Sequence, residues 1–157
     1  RVGVAIVLAA LAAYFATGFA GRPLGELGSV LPPAPAAGDT LEGALAEARR
    51  SGKPAFLEFT GVTCVNCQRM KNTVLAEPAV KAELAKYVFA ELNTDRLSHP
   101  KFAALDRENA RLLKERFGTA ALPVYIALGP DGVERSRITG LASEQEFLTF
   151  LRKGMGN

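Results

Sequence analysis

The residues best suited to chemistry are two cysteines, the only two in this 157-residue chain, standing three apart in Cys64-Val65-Asn66-Cys67. Exchange between a dithiol and a disulfide needs one thiolate that can attack and a second thiol near enough to resolve the mixed disulfide. Two cysteines at the start of a helix meet both needs. Cys64 at the N-terminus would face unpaired backbone N–H groups and the positive end of the helix dipole, which favour its ionised form. Cys67, about one turn further in, can close a small ring onto it. The competing uses of the pair are a structural disulfide, half of a metal site, or two incidental core thiols. Bridging so short a loop removes little entropy from the unfolded chain, which argues against a purely structural role. A metal half-site would need a second chain, or a Cu(I) ion, which accepts thiolates. Tetrahedral zinc is poorly served, because two cysteines and one histidine, His99, are all the sequence offers. A CxxC set between a buried strand and a helix is a recognised redox signature, and the redox reading leads.

A strand and a helix must hold that motif in place. Ala55-Phe56-Leu57-Glu58-Phe59-Thr60 is a near-continuous apolar run, as expected of a strand buried on both faces. Gly61-Val62-Thr63 then turns the chain into a helix running from Cys64 through Met70, Val74 and Leu75. Upstream, Asp39-Thr40-Leu41-Glu42 opens a helix with Asp39 as its capping acid; Leu41, Ala44, Leu45 and Ala48 follow at helical spacing, and Gly52 ends it after Ser51. Downstream, Pro78 starts a short helix to about Ala85, Val88–Asn93 reads as a second strand, and 102–117 contains a helix carrying Leu105, Leu112 and Leu113. Val124–Leu128 and 133–139 flank Gly129-Pro130-Asp131-Gly132, a hairpin signal. Ser143-Glu144-Gln145-Glu146 caps a last helix bearing Phe147, Phe150 and Leu151. Alternating elements followed by a hairpin imply an α/β fold, a central mixed sheet with helices on both faces.

The first residues are of a different kind. Residues 2–20 are built almost wholly from Val, Ile, Leu, Ala, Gly, Phe and Tyr, without a charge. At about 1.5 Å per residue the run nearly spans a hydrocarbon core of about 30 Å, so a transmembrane helix is expected. A secretory signal peptide, with an apolar core of about 7–15 residues, would be shorter; either reading exports the rest of the chain. Arg1 stands where an initiating Met would, so we expect the chain to have been processed or cut from a longer protein, in which this run could be the last of several spans. Residues 23–38 carry Pro32, Pro33 and Pro35 among Ala, Gly and Leu, the composition of an extended spacer. The formal charge of +3 is small and its basic residues are interleaved with acids, as in Asp106-Arg107-Glu108. That is a solvated face and not the basic stripe of a nucleic-acid binder.

The stretch from Phe56 to Cys67, the later Ala121-Leu122-Pro123-Val124, and the closing hairpin and helix resemble the thioredoxin superfamily. Within it the chain is most similar to the C-terminal periplasmic domains of DsbD-type thiol:disulfide interchange proteins. The Val between the cysteines, Asn109-Ala110-Arg111-Leu112-Leu113-Lys114, and Arg137-Ile138-Thr139-Gly140-Leu141 carry that likeness, over roughly 39–153. The expected organisation is a transmembrane helix over 1–21, a linker over 22–38 and a thioredoxin-like domain over 39–157. The resemblance makes Cys64 the exposed nucleophile and Cys67 the resolving thiol. Pro123 matches the cis-proline that faces the cysteines, beside backbone that holds an extended partner segment. Its bland counterpart is an ordinary edge-strand proline, disfavoured because Val124 onward reads as a central strand. Glu58 occupies the position of a buried acid assisting proton transfer to the resolving cysteine. A carboxylate inside an apolar strand is costly, which suits a proton-handling role; the alternative is an acid reaching solvent at a strand end. Two positions depart from the pattern: Thr63 replaces the common tryptophan before the first cysteine, and Lys71 stands where a second acid can lie. Lys71 would either favour the thiolate at Cys64 or sit solvated on the helix surface. His99, a loop residue before Pro100, is assigned no part in the chemistry.

The function implied is a thiol-disulfide oxidoreductase, a reductase or electron relay at the inner membrane with its folded domain on the periplasmic side. It would need no cofactor beyond the Cys64–Cys67 pair. Its partners would be protein disulfides, in cytochrome c maturation or rescue of oxidised proteins, and a membrane electron donor that could be the part of the same protein preceding Arg1. Two other classes stay open: a membrane-tethered Cu(I)-binding module using the same cysteines, and an interaction domain whose CxxC is vestigial.

Overall fold

Six consecutive buried residues, Ala55–Thr60, form β1, and the rest of the domain is arranged around them. The structure, a computed structural model, describes residues 38, 40–96 and 100–156. The expected membrane span and all but the last residue of the expected linker lie outside the described residues, as does His99. Among the described residues no helix is long and apolar enough to cross a membrane. Gly38, the last linker residue, is buried against the Phe89 carbonyl, which a Cβ at that position would strike.

In chain order the elements are α1 (Leu41–Ser51), β1, α2 (Val65–Asn72), a 3-10 turn (Val74–Ala76), α3 (Pro78–Leu84), β2 (Val88–Asn93), α4 (Pro100–Phe117), β3 (Val124–Leu128), β4 (Glu134–Thr139) and α5 (Glu144–Gly154). The sheet order is β2-β1-β3-β4, with β1 and β2 parallel and the other pairs antiparallel, so the sheet is mixed as expected. Side chains alternate across it. Ala55, Leu57 and Phe59 pack with Val124, Ile126 and Leu128 under α1 and α4. Phe56 packs on the opposite face with Tyr125 and Ala127, under Met70 of α2, Val80 of α3 and Phe147, Phe150 and Leu151 of α5. Phe56 is the hub of that second layer, its ring centroid 5.4 to 6.2 Å from those of Tyr87, Phe89, Tyr125, Phe147 and Phe150. Truncating such a ring typically costs about 3–5 kcal/mol.

Local signals account for most element ends. The cap of α1 is Thr40 and not Asp39: the Thr40 hydroxyl accepts from the Gly43 amide at 3.1 Å, one residue later than the acidic signal suggests. Gly52 ends that helix at φ 69°, a conformation that disfavours residues with a Cβ. Ser143 and Glu146 form the expected capping box of α5. The expected helix from Cys64 to Leu75 is divided at Thr73, whose non-helical backbone separates α2 from the 3-10 turn. The hairpin turn closes through Gly132 N to Gly129 O and Gly129 N to Val133 O, both 2.8 Å.

Candidate active site

Because β1 and β2 are parallel and in register to Thr60↔Asn93, the chain leaves both strands at the same edge of the sheet. After β1 come Gly61-Val62-Thr63-Cys64; after β2 come Thr94-Asp95-Arg96. The antiparallel pair Phe59↔Val124 brings the start of β3, with Pro123 before it, to that edge, and Val124↔Thr139 adds the end of β4. Four loops far apart in sequence therefore meet there.

Cys64 is the N-cap of α2. Its backbone is extended, its carbonyl accepts from Gln68 N at 3.1 Å, and its Sγ accepts from Cys67 N at 3.2 Å. A sulfur so placed receives an amide hydrogen bond and the field of the helix N-terminus, both of which favour negative charge. Cys64 and Cys67 are joined as a disulfide with Cα atoms 5.2 Å apart. Cys64 is half-buried; Cys67 is fully buried, beside Met70 on the inner side of α2. Cys64 is the more open of the two residues.

The loop ahead of Cys64 is held by a carboxylate the sequence reading did not single out. Asp95 accepts from Val62 N at 2.6 Å, from Thr63 N at 3.0 Å and from the Thr63 hydroxyl. Gly61 leaves room for this approach, since a Cβ there would lie 2.7 to 3.0 Å from the Asp95 carboxylate atoms and the side chain would have to shift. Burial pushes the Asp95 carboxyl up, but the Thr63 hydroxyl and the two amides outweigh it and hold it below the usual range. Asp95 is itself braced: Thr94 N bonds Thr60 O at 3.1 Å, Asn109 Nδ2 donates to Asn93 O at 2.9 Å, and Arg96 N donates to the buried Asp106 at 2.6 Å. The available signal was position alone, a carboxylate just past the end of the strand parallel to β1.

Glu58 is 1% exposed, so it is the buried acid and not one reaching solvent at a strand end. Burial pushes its carboxyl up to about 7, against the pull of the Lys71 charge and with a further push from Glu91. Glu91 is its register partner on β2 and was not anticipated. Lys71 lies 3.0 Å from Glu91 and 3.8 Å from Glu58, with its side chain 27% exposed. Lys71 is thus not simply solvated on the helix surface: it lies between two carboxylates. Glu58 Oε1, Thr60 Oγ1 and the Tyr125 hydroxyl are buried with no hydrogen-bond partner.

The Leu122-Pro123 peptide is cis, Pro123 is buried, and its carbonyl accepts from Gly140 N at 2.8 Å. Around this edge Val62, Val65 and Leu141 are 56%, 79% and 46% exposed, three of the five large hydrophobic side chains found exposed among the described residues. Their concentration at one edge marks an apolar rim beside Cys64. The copper reading gains nothing here: the sulfurs are bonded to each other, and among the described residues no three Cys, His, Asp or Glu side chains are grouped to hold a metal.

Comparison with known proteins agrees with the fold. The thiol:disulfide interchange protein DsbD of Pseudomonas fluorescens is 33% identical over 110 residues, 69% of this chain, and DsbD 1 of Pseudomonas aeruginosa is 32% identical over 100 residues. The matched stretches make up only 17% and 16% of those two relatives. Among solved structures, a thioredoxin from Thermus thermophilus superposes with a TM-score of 0.56 at 28% identity, covering 72% of this chain and 82% of its own. The oxidised C-terminal domain of DsbD from Neisseria meningitidis gives a TM-score of 0.57 at 21% identity, covering 73% and 92%. The family pattern of the thioredoxin-like domain matches residues 41–155. The chain belongs to the thioredoxin-like domain family, as the resemblance in its sequence led us to expect.

Proposed function

We propose that this chain is a thiol-disulfide exchange module that takes electrons from a donor in the membrane and delivers them to protein disulfides outside the cytoplasm. The observation that carries the reading is the Cys64–Cys67 bridge itself, with Cys64 half-open at a helix N-cap and Cys67 sealed behind it. Similarity to proteins named for thiol:disulfide interchange supports the same chemistry. The charge-free run 2–20 supports attachment to the membrane, with the domain held on the periplasmic side.

In the reduced state the Cys64 thiolate attacks one sulfur of a partner disulfide. The partner's S–S bond breaks, a Cys64–partner bond forms, and the partner's other sulfur leaves as a thiolate. Cys67 then gives its proton to the Glu58 carboxylate and attacks Cys64. The Cys64–partner bond breaks, the second partner thiolate leaves, and Cys64–Cys67 remains as the bridge seen here. Two electrons have passed to the partner, and a donor dithiol returns the module to its reduced form by the same steps reversed. The apolar rim of Val62, Val65 and Leu141 and the backbone beside Pro123 offer an extended partner segment a place to lie.

Mixed-disulfide trapping tests this. Cys67→Ser should accumulate an adduct through Cys64 that thiol reagents release, and identifying the captured chains names the partners. Equal capture by the reciprocal Cys64→Ser variant would reverse the assignment of the two sulfurs.

A further inference from the structure

Glu58 and Glu91 are side-by-side partners on parallel strands, both on the sheet face covered by α2. Like charges so placed repel and call for a cation between them. Lys71 supplies it from the helix that carries the dithiol, four residues after Cys67 and so on the same helical face. Its ammonium is within hydrogen-bonding distance of Glu91, at 3.0 Å, and beyond it for Glu58, at 3.8 Å. Glu91 has a second donor, Asn93 Nδ2 at 3.0 Å, whereas Glu58 Oε1 has none. The remaining polar groups facing Glu58 are neutral: Tyr125, its register partner on β3, and Thr60, two residues along β1.

We infer that Lys71 is a positioning residue shared between two carboxylates, resting on Glu91 while Glu58 holds a proton and turning to Glu58 when that proton leaves. Its division between them sets how readily Glu58 takes the proton of Cys67. This rests on the reading that Glu58 receives that proton, and it assigns Lys71 and Glu91 to the control of the second step of exchange. The transfer balances without any other reactant: the Cys67 S–H bond breaks, the proton goes to a Glu58 oxygen, and the sulfur's electron pair forms the bond to Cys64.

The test uses two substitutions of opposite sign. Lys71→Met leaves Glu58 facing Glu91 with no cation between them, and should raise the midpoint of Glu58 titration by about one pH unit. Glu91→Gln removes the competing anion, frees Lys71 for Glu58, and should lower that midpoint. Lys71→Arg should restore most of the wild-type value. Glu58 is followed by carboxyl carbon NMR in the disulfide form of the full chain, where neither sulfur titrates. The second readout is the pH dependence of the rate at which the second thiolate of an aromatic disulfide probe is released, a step that reports Cys67 attacking Cys64. Its midpoint should move with that of Glu58, in the same two directions. Helical circular dichroism confirms that each variant is folded, and Lys71→Gln serves if Lys71→Met is not. If neither substitution moves the Glu58 titration, the role given to Lys71 is wrong, while Glu58→Gln still decides whether Glu58 handles the proton. If the titration moves both ways and the release profile stays fixed, the proton role of Glu58 is overturned and the control assigned to Lys71 goes with it.

Discussion

Asp106, beneath the loop that follows β2, and Glu58, beneath α2, are carboxylates withdrawn from water to the same degree, at 0% and 1% exposure. Asp106 is saturated with donors. The Arg96 backbone amide, Nε and Nη2 all reach it at 2.6 to 3.2 Å, and the guanidinium is stacked 4.3 Å from the centroid of Phe102. Glu58 has an ammonium at 3.8 Å, a second carboxylate beside it, and one oxygen with no donor. A buried acid met by several donors acts as a fastener. One left short of donors holds its proton near neutrality and can exchange it. Burial alone does not separate a structural carboxylate from a chemical one; the supply of donors does.

The comparison breaks most visibly at Asp106. Asp106→Ala removes the buried acceptor that the Arg96 amide and guanidinium share and should cost about 3–5 kcal/mol, read as a lower urea midpoint. A loss under about 1 kcal/mol would mean that the pair is ornamental, since surface pairs reach that much.

Glu58→Gln should act in the opposite sense, and only at higher pH. Below about 4.5 the carboxyl is protonated in folded and unfolded chains alike, so it contributes no pH dependence. Between about 4.5 and 7 the unfolded chain ionises while the folded one keeps its proton, and stability falls as pH rises. The wild type should therefore lose up to about 3 kcal/mol relative to Glu58→Gln between pH 4 and pH 8. Parallel stability curves for the two proteins would show that Glu58 is not held protonated. If Glu58 takes the proton of Cys67, as proposed, the same substitution should slow the resolving step.

Asp95→Asn gives the smallest effect and the reverse pH sign. One of three donors loses its acceptor, costing about 1 kcal/mol above the carboxylate range. Because the Asp95 carboxyl is held low in the fold, its contribution is present above its unfolded pKa and is lost as pH falls through the folded one. The gap between variant and wild type should therefore close in acid, where the Glu58 gap also vanishes but by the opposite route.

What could be read from the sequence divides along the same line. The apolar run of β1, the Ser143 cap, the Gly129–Gly132 turn and the CxxC motif are local, each written in a few adjacent residues, and each is found where expected. The placement of Glu58 deep in β1 was also visible, as a charge inside an apolar run. Glu91 was not, because along β2 it alternates like any residue on the outer side of a strand, and only the register Glu58↔Glu91 gives it meaning. Asp95 and the Arg96–Asp106 pair depend likewise on which loops meet at the sheet edge. For Lys71 the sequence left two readings open, a charge favouring the Cys64 thiolate or a solvated surface lysine, and the carboxylates it meets came into view only with the strands beneath α2.

Val62 and Asp95 are 33 residues apart in the chain, yet the loop carrying Cys64 is secured only when they meet. As the polypeptide is made, both sulfurs emerge well before the aspartate that braces them. For that interval the newborn chain carries two neighbouring thiols and none of the restraint that later chooses between them. A premature bond to a stranger then competes with the bond between them. The safe course is to remain reduced until β2 has docked, so the order of synthesis asks for electrons at hand before the module has any of its own to give.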